Sequence, residues 1–505
     1  MAKRRWRIGI IAGALVAVAA FVWILFPRPQ TALTPDPPGA RLTAASQGLD
    51  TITIDATFRP VSRSMDVTQI CVLQNRTGVA QRLAVLRTYP NAFSSEDTSP
   101  AATDELYDVC YPNGFSAGKL SFSYVMLQMA DAAEDYASYS FTDDAHTVMS
   151  VALPADWLPG ESITLRIAYT LTVPEAIYRY GVSGGVWALG NAFVIPSPWQ
   201  DGEYRTDEYI SIGDPFISEC RNYTVRLTAP KDYIVAGTGA SAQAETADGQ
   251  TLTTFTAPAV RDFALCVSTA YREQTAKQNG VLVRALALTD ANAKTMLTTA
   301  LRALACFADR YGAYPYPTYT LCEASLPIDA AEYPALSMVS SAKLAARGDA
   351  PEQAVALQTA HQWWYAVVGS DGFNQAWQDE ALSQFSLLDY WETYRGASAR
   401  ADLQYSLADT AMLVTVPQGV TPGSPVDYFG DLSEYRLVVY GRGAAAMCAL
   451  NTALNGTLDG FLRAYYDTYA FRLATRADFE TLLKTHTGED WSPLLTDYLD
   501  TYLSN

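Results

Sequence analysis

Histidine is scarce in this chain. The 505 residues include three, His146, His361 and His486. No two of them stand four apart, so the paired-imidazole helix of many zinc hydrolases is excluded. Basic residues are also few: 35 Lys and Arg face 53 Asp and Glu, a formal net charge of -18. Such a field repels polyanions, which excludes nucleic acid as a partner and favours cationic or amine-bearing ligands. The seven cysteines (Cys71, Cys110, Cys220, Cys266, Cys306, Cys322 and Cys448) form no Cys-x-x-Cys pair, so a cysteine metal centre is excluded. Outside the cytoplasm some would pair, Cys71 with Cys110 and Cys306 with Cys322 being nearest in sequence, and the odd number leaves a thiol free. Long apolar runs are missing except for one, at the N-terminus.

That run is Ile8 to Phe26, without a charge, preceded by the basic segment "MAKRRWR" at residues 1–7. As a helix it spans roughly 28 Å, one hydrocarbon core. Lys3, Arg4, Arg5 and Arg7 then form a cytoplasmic tail, residues 8–26 a retained anchor, and the remainder faces outward. A signal peptide cleaved after Ala19 is the competing reading, but "FVWILF" continues the apolar run past that point. Residues 27–48, rich in Pro, Ala and Thr, read as a spacer. From residue 49, segments such as "DTITIDATFRP" and "ESITLRIAYTLTVP" alternate apolar and polar residues with period two, predicting a β-rich domain over 49–286. Helical periodicity takes over in 287–505, in "ANAKTMLTTALRALACFADRYG", "APEQAVALQTAHQWWYAVVG" and "NQAWQDEALSQFSLLDYWETYRG", with a strand at "YTLCEAS". The fold class predicted is multidomain α+β.

Four motifs occur in order. "AHQWW" supplies His361, Gln362 and Trp363, and eighteen residues separate His361 from Glu380 in "WQDEA". "DAAEYPALS" contains Glu332, and "YGRGA" begins at Tyr440, five residues after Tyr435. Together they resemble the aminopeptidase N family of zinc metallopeptidases (peptidase family M1, gluzincins). In that family His-Glu-x-x-His is followed, eighteen residues on, by a third, glutamate ligand. The resemblance implies a saddle-like β domain followed by a thermolysin-like peptidase domain, without the C-terminal helical domain of longer members. It places His361 and Glu380 as metal ligands, Glu332 on the substrate's α-amine, Tyr440 at the oxyanion, and Tyr435 with Glu380 beside the substrate.

The departures fall on the chemistry. Leu357 occupies the first histidine's position and Gln358 that of the general base. Leucine offers no ligand atom, and an amide accepts no proton near neutral pH. Asp329, Ala330 and Ala331 replace the usual Gly and Met of the amine-binding loop, and Arg442 replaces a lysine. Hydrolysis is therefore expected to be lost and zinc not bound. His361 is expected as a buried structural histidine bonded to Glu380, and Tyr440 as idle. The expectation is a membrane-anchored pseudopeptidase that binds peptides or amines. Two alternatives stand beside it: an active metallo-aminopeptidase recruiting zinc through Asp379 or His146, and a structural or adaptor ectodomain.

Overall fold

The computed structural model describes residues 39–130, 132–416 and 419–502. The expected tail and anchor, and the spacer up to residue 38, lie outside the described residues.

The β-rich half is built on an eight-stranded sheet. From edge to edge its strands are Ala240–Glu245, Thr251–Val260, Arg221–Ala229, Thr51–Arg59, Ser64–Gln74, Ser162–Thr172, Lys119–Met129 and Asp135–Tyr136. Only the Thr51–Arg59 and Arg221–Ala229 pair is parallel. The period-two pattern has the expected cause. Ile52, Ile54, Ala56 and Phe58 face the core from one strand, and Ile163, Leu165, Ile167, Tyr169 and Leu171 from another. Each large side chain so buried contributes about 1.5–3 kcal/mol.

A second, five-stranded sheet runs Arg272–Gln278, Val281–Ala287, Thr318–Ala324, Leu336–Ser340, Ala330–Tyr333. The hairpin at 272–287 pairs in parallel with Thr318–Ala324 through Val281–Ala287. The boundary expected at 286 therefore cuts through this sheet, and the hairpin goes with the second half. Its alternation resembles that of the preceding strands, so periodicity alone does not separate them.

Helices α1 (Asp290–Tyr311) and α2 (Ala350–Ala360) pack on this sheet, α3 (Trp377–Arg395) packs on those two, and α4 (Gly443–Ala453) packs on α3. Helix α1 is capped by the Thr289 side chain, which accepts from the Asn292 amide, and ends on Gly312 at φ 125°, the stop its sequence predicts. Helix α3 is buried on every side from Trp377 to Trp391. It is a central core helix rather than an amphipathic surface one, so its Asp379, Glu380 and Asp389 require polar partners inside the protein.

Two expectations are corrected. The helix predicted to run on to Gly369 ends at Ala360. Beyond it the chain opens into wide turns, with the Ala366 amide on the His361 carbonyl and the Val368 amide on that of Trp363. These turns are held by Arg261, from the β-rich half, whose guanidinium donates to the carbonyls of Tyr365, Val367 and Arg472. Gly369 is required there, because a β-carbon at that position would lie 2.1 Å from the Arg261 Cζ. All seven cysteines are free and buried. Cys71 is thus not bonded to Cys110, nor Cys306 to Cys322; each is absorbed into apolar packing instead.

Candidate functional site

Strand, helix end and helix start converge on one cavity of about 310 Å³. The edge strand Ala330–Tyr333 alternates: Ala330 and Glu332 line the cavity, while Ala331 and Tyr333 join the core on the other side. Helix α2 delivers Leu357 and Gln358 to the cavity wall, and His361 follows as the residue that closes the helix. Positions three and four apart share a helix face, which is why these three meet. The first turn of α3 carries Asp379 and Glu380, and its next turn carries Ser383 and Gln384. Tyr435 ends a short helix, and Tyr440 lies in the π-helical segment Arg436–Arg442 that follows it. Their rings meet edge to face, 5.5 Å apart.

The polar groups are tightly linked. Gln358 Nε2 donates to Glu332 Oε2 at 3.0 Å. His361 Nδ1 lies 2.6 Å from Asp379 Oδ1 and 3.1 Å from Ser383 Oγ, while its Nε2 faces Glu380 Oε2 at 3.7 Å. The expected His361–Glu380 hydrogen bond is therefore replaced by one to Asp379, on the opposite edge of the ring. Tyr435 Oη donates to Glu380 Oε1 at 3.4 Å. Arg179 pairs with Asp214, and ligand oxygens of Asp214, Glu332 and Glu380 lie within 4.8 Å of one another. Three buried acceptor atoms have no hydrogen-bond partner: Gln358 Oε1, Gln384 Oε1 and Glu380 Oε2. Each belongs to a side chain at least 95 % buried, and Gln358 and Gln384 line the cavity.

This crowding shifts protonation. Burial and the Asp214 carboxylate push Glu332 up to about 8, against the pull of His361. Burial and neighbouring carboxylates likewise raise Glu380 well above the usual range. Burial also raises Asp214, but Arg179 outweighs it and holds that group below its ordinary value. For His361, burial favours the neutral ring, yet Asp379 and Glu332 prevail and raise it to about 10. A raised base binds its proton more tightly in the folded protein, so this contribution to stability is complete below pH 6.5 and is lost as pH rises through about 10. In a nitrogen-15 imidazole spectrum, His361 is expected to be doubly protonated at pH 9. A neutral ring at pH 8 would contradict this.

The structure thus brings Glu332, Leu357, Gln358, His361, Tyr435 and Tyr440 to one cavity, with Glu380 immediately behind Tyr435. His146 does not join them. It stacks on Phe141 with ring centres 4.7 Å apart in the β-rich half. His486 lies against Phe461. Arg442 turns away from the cavity onto the carbonyls of Ala411 and Val414. Sequence reasoning missed Arg179, Asp214, Ser383 and Gln384. Asp214 stands in "YISIGDPFIS", where nothing in the pattern marks its carboxylate.

No family model and no curated protein matches the chain by sequence. Solved structures do. The M1 zinc metallopeptidase of Deinococcus radiodurans is similar at TM-score 0.65 and 19 % identity, over 90 % of this chain and 95 % of that one. A point mutant of that enzyme bound to a Tyr-Ser-Ala substrate is similar at TM-score 0.64 and 20 % identity, with the same coverage. A two-domain M1 zinc metallopeptidase mutant bound to L-arginine matches at TM-score 0.60 and 21 % identity, over 89 % of this chain and 93 % of that one. The chain has the fold of these metallopeptidases, a β-rich half followed by a helical one.

Proposed function

We propose that the protein is a pseudopeptidase: it holds peptides or other amine-bearing molecules by a free amino group and does not hydrolyse them. The observation that carries this reading is the lining of one cavity of ligand size, Glu332 and Asp214 with Gln358 and Gln384 beside them, where Gln358 Oε1 and Gln384 Oε1 are buried without a hydrogen-bond partner. Buried acceptors without donors are costly, at roughly 1–3 kcal/mol each. A molecule rich in N–H groups relieves them, and an ammonium does so best because its bonds are charge-assisted. An arriving cation also draws the proton from Glu332, leaving a carboxylate to meet it.

The fold implies zinc. Ligand atoms of Glu332, His361 and Asp379, and of Asp214, Glu332 and Glu380, do lie within 4.8 Å of one another, but neither set is the two histidines and a glutamate of the family the sequence resembles. His361 Nε2 and Glu380 Oε2 are 3.7 Å apart, a spacing two ligands of one ion can adopt. The third position is the aliphatic Leu357, and structural and catalytic zinc sites take at least three protein ligands. Asp379 Oδ1 is engaged by His361 Nδ1 at 2.6 Å, on the edge of the ring opposite Nε2, the nitrogen that faces Glu380. With Gln358 as an amide, the site also has no general base where one is needed. What these residues do instead is hold: Gln358 orients Glu332, Asp379 and Ser383 orient His361, and Tyr435 orients Glu380.

The same reading includes an outward-facing chain anchored through residues 8–26. Among the described residues no single helix is long and apolar enough to cross a membrane. N-terminal sequencing of the mature protein tests the anchor, and a start at Ala20 or later would remove it.

The amine claim is tested by calorimetry on the purified full chain. A free-amine peptide is expected to bind about 10- to 100-fold more tightly than its acetylated form, the worth of one charge-assisted hydrogen bond. Glu332→Gln is expected to erase most of that difference. Equal binding of both peptides by the unaltered protein would overturn the reading.

A further inference from the structure

The cavity is acidic at its floor and basic at its mouth. Asp329 stands three residues before Glu332, at the start of the same edge-strand segment, and its carboxylate serves two cations. Lys343 Nζ is 2.8 Å from Asp329 Oδ2, and Arg436 Nη2 is 3.9 Å from Asp329 Oδ1. Asp329, Lys343 and Arg436 all line the cavity. One carboxylate shared by two cations leaves a net positive charge there. Arg436, too far from Asp329 for a hydrogen bond, keeps its planar fork available for a second carboxylate. Both cations are part-exposed, so a ligand reaches them without a buried charge being uncovered.

We infer that the ligand is an amino acid or short peptide bound as a zwitterion, its ammonium against Glu332 and the amide oxygens beside it, its carboxylate against Arg436 and Lys343. This rests on the amine reading above and adds the second end. The departure of this loop from the family pattern has a consequence in this arrangement. Asp329 holds Lys343, and the small Ala330 beside it leaves the mouth open.

Calorimetry on the full chain with Ala-Ala, Ala-Ala-amide and acetyl-Ala-Ala tests the inference. Ala-Ala is expected to bind about tenfold more tightly than its amide. Changing both cations, Lys343→Gln with Arg436→Gln, should bring the acid-to-amide ratio close to one while leaving the preference over the acetylated form. Asp329→Asn, which frees both cations, should widen the ratio, an effect a misfolded variant does not mimic. If acid and amide bind equally while the free amine is still preferred, the zwitterion inference is wrong and the amine reading stands. If neither end matters, both are wrong.

Discussion

Leu357→His combined with Gln358→Glu is expected to give a chelator-sensitive aminopeptidase where the unaltered chain shows none. Leu357 is one helical turn before His361 and lines the same cavity, so a histidine there projects beside His361. With Glu380 Oε2 already 3.7 Å from His361 Nε2, the change completes three protein ligands. Leu357→His alone should therefore bind zinc and turn over little. The second change supplies the general base, worth about 10²- to 10⁴-fold in rate. It also has a cost in the absence of metal. Gln358 Nε2 now donates to Glu332 Oε2 at 3.0 Å, and a carboxylate in its place repels Glu332 unless a proton or a cation intervenes. Gln358→Glu by itself should accordingly lower the melting temperature, and zinc should restore it only when Leu357→His is present. Elemental analysis of the double variant decides the matter. If no zinc is taken up, His361 and Glu380 are not spaced as remnant ligands.

Arg261→Ala is expected to lower stability by about 3–5 kcal/mol. The guanidinium is buried and donates to four carbonyls, those of Ser218, Tyr365, Val367 and Arg472. Charge-assisted bonds contribute about 1.5–3 kcal/mol each, less than additively when they share one donor group. The alanine leaves these acceptors, three of them on the helical half, without their donor. Since Arg261 follows a strand of the β-rich half and holds the turns beyond His361, the loss should also loosen the site. Urea unfolding measures the first effect. Conservative Arg261→Lys should recover little, because a single ammonium does not reproduce the fork. A change below about 1 kcal/mol in the alanine variant would show that water replaces the side chain at this junction.

The parts legible in the sequence are those whose causes are local. The alternation of Ile52, Ile54, Ala56 and Phe58 reflects the pleat of a strand with one covered face. The Gly312 stop of α1 is set by its own backbone. Glu332, His361 and Glu380 were found because motif order and spacing mark them, not because of any period. What was not legible depends on contacts distant in sequence. The wide turns after α2 are held by Arg261, about a hundred residues earlier. Asp214 reaches Glu332 from a loop of the β-rich half and is held there by Arg179. Helix α3 is buried all round, so no stripe distinguishes its site-facing residues. The choice of Asp379 over Glu380 as the partner of His361 depends on which edge of one ring each carboxylate meets, and neighbouring positions in a first turn do not reveal that.

The central claim, an amine-binding pocket on a metallopeptidase fold without hydrolysis, is tested most directly by one measurement on the unaltered full chain: zinc per chain by elemental analysis, with amino-acid anilide cleavage followed in the same preparation before and after chelation. The account predicts far less than one zinc per chain and no chelator-sensitive cleavage. About one zinc per chain together with cleavage that a chelator abolishes would contradict it.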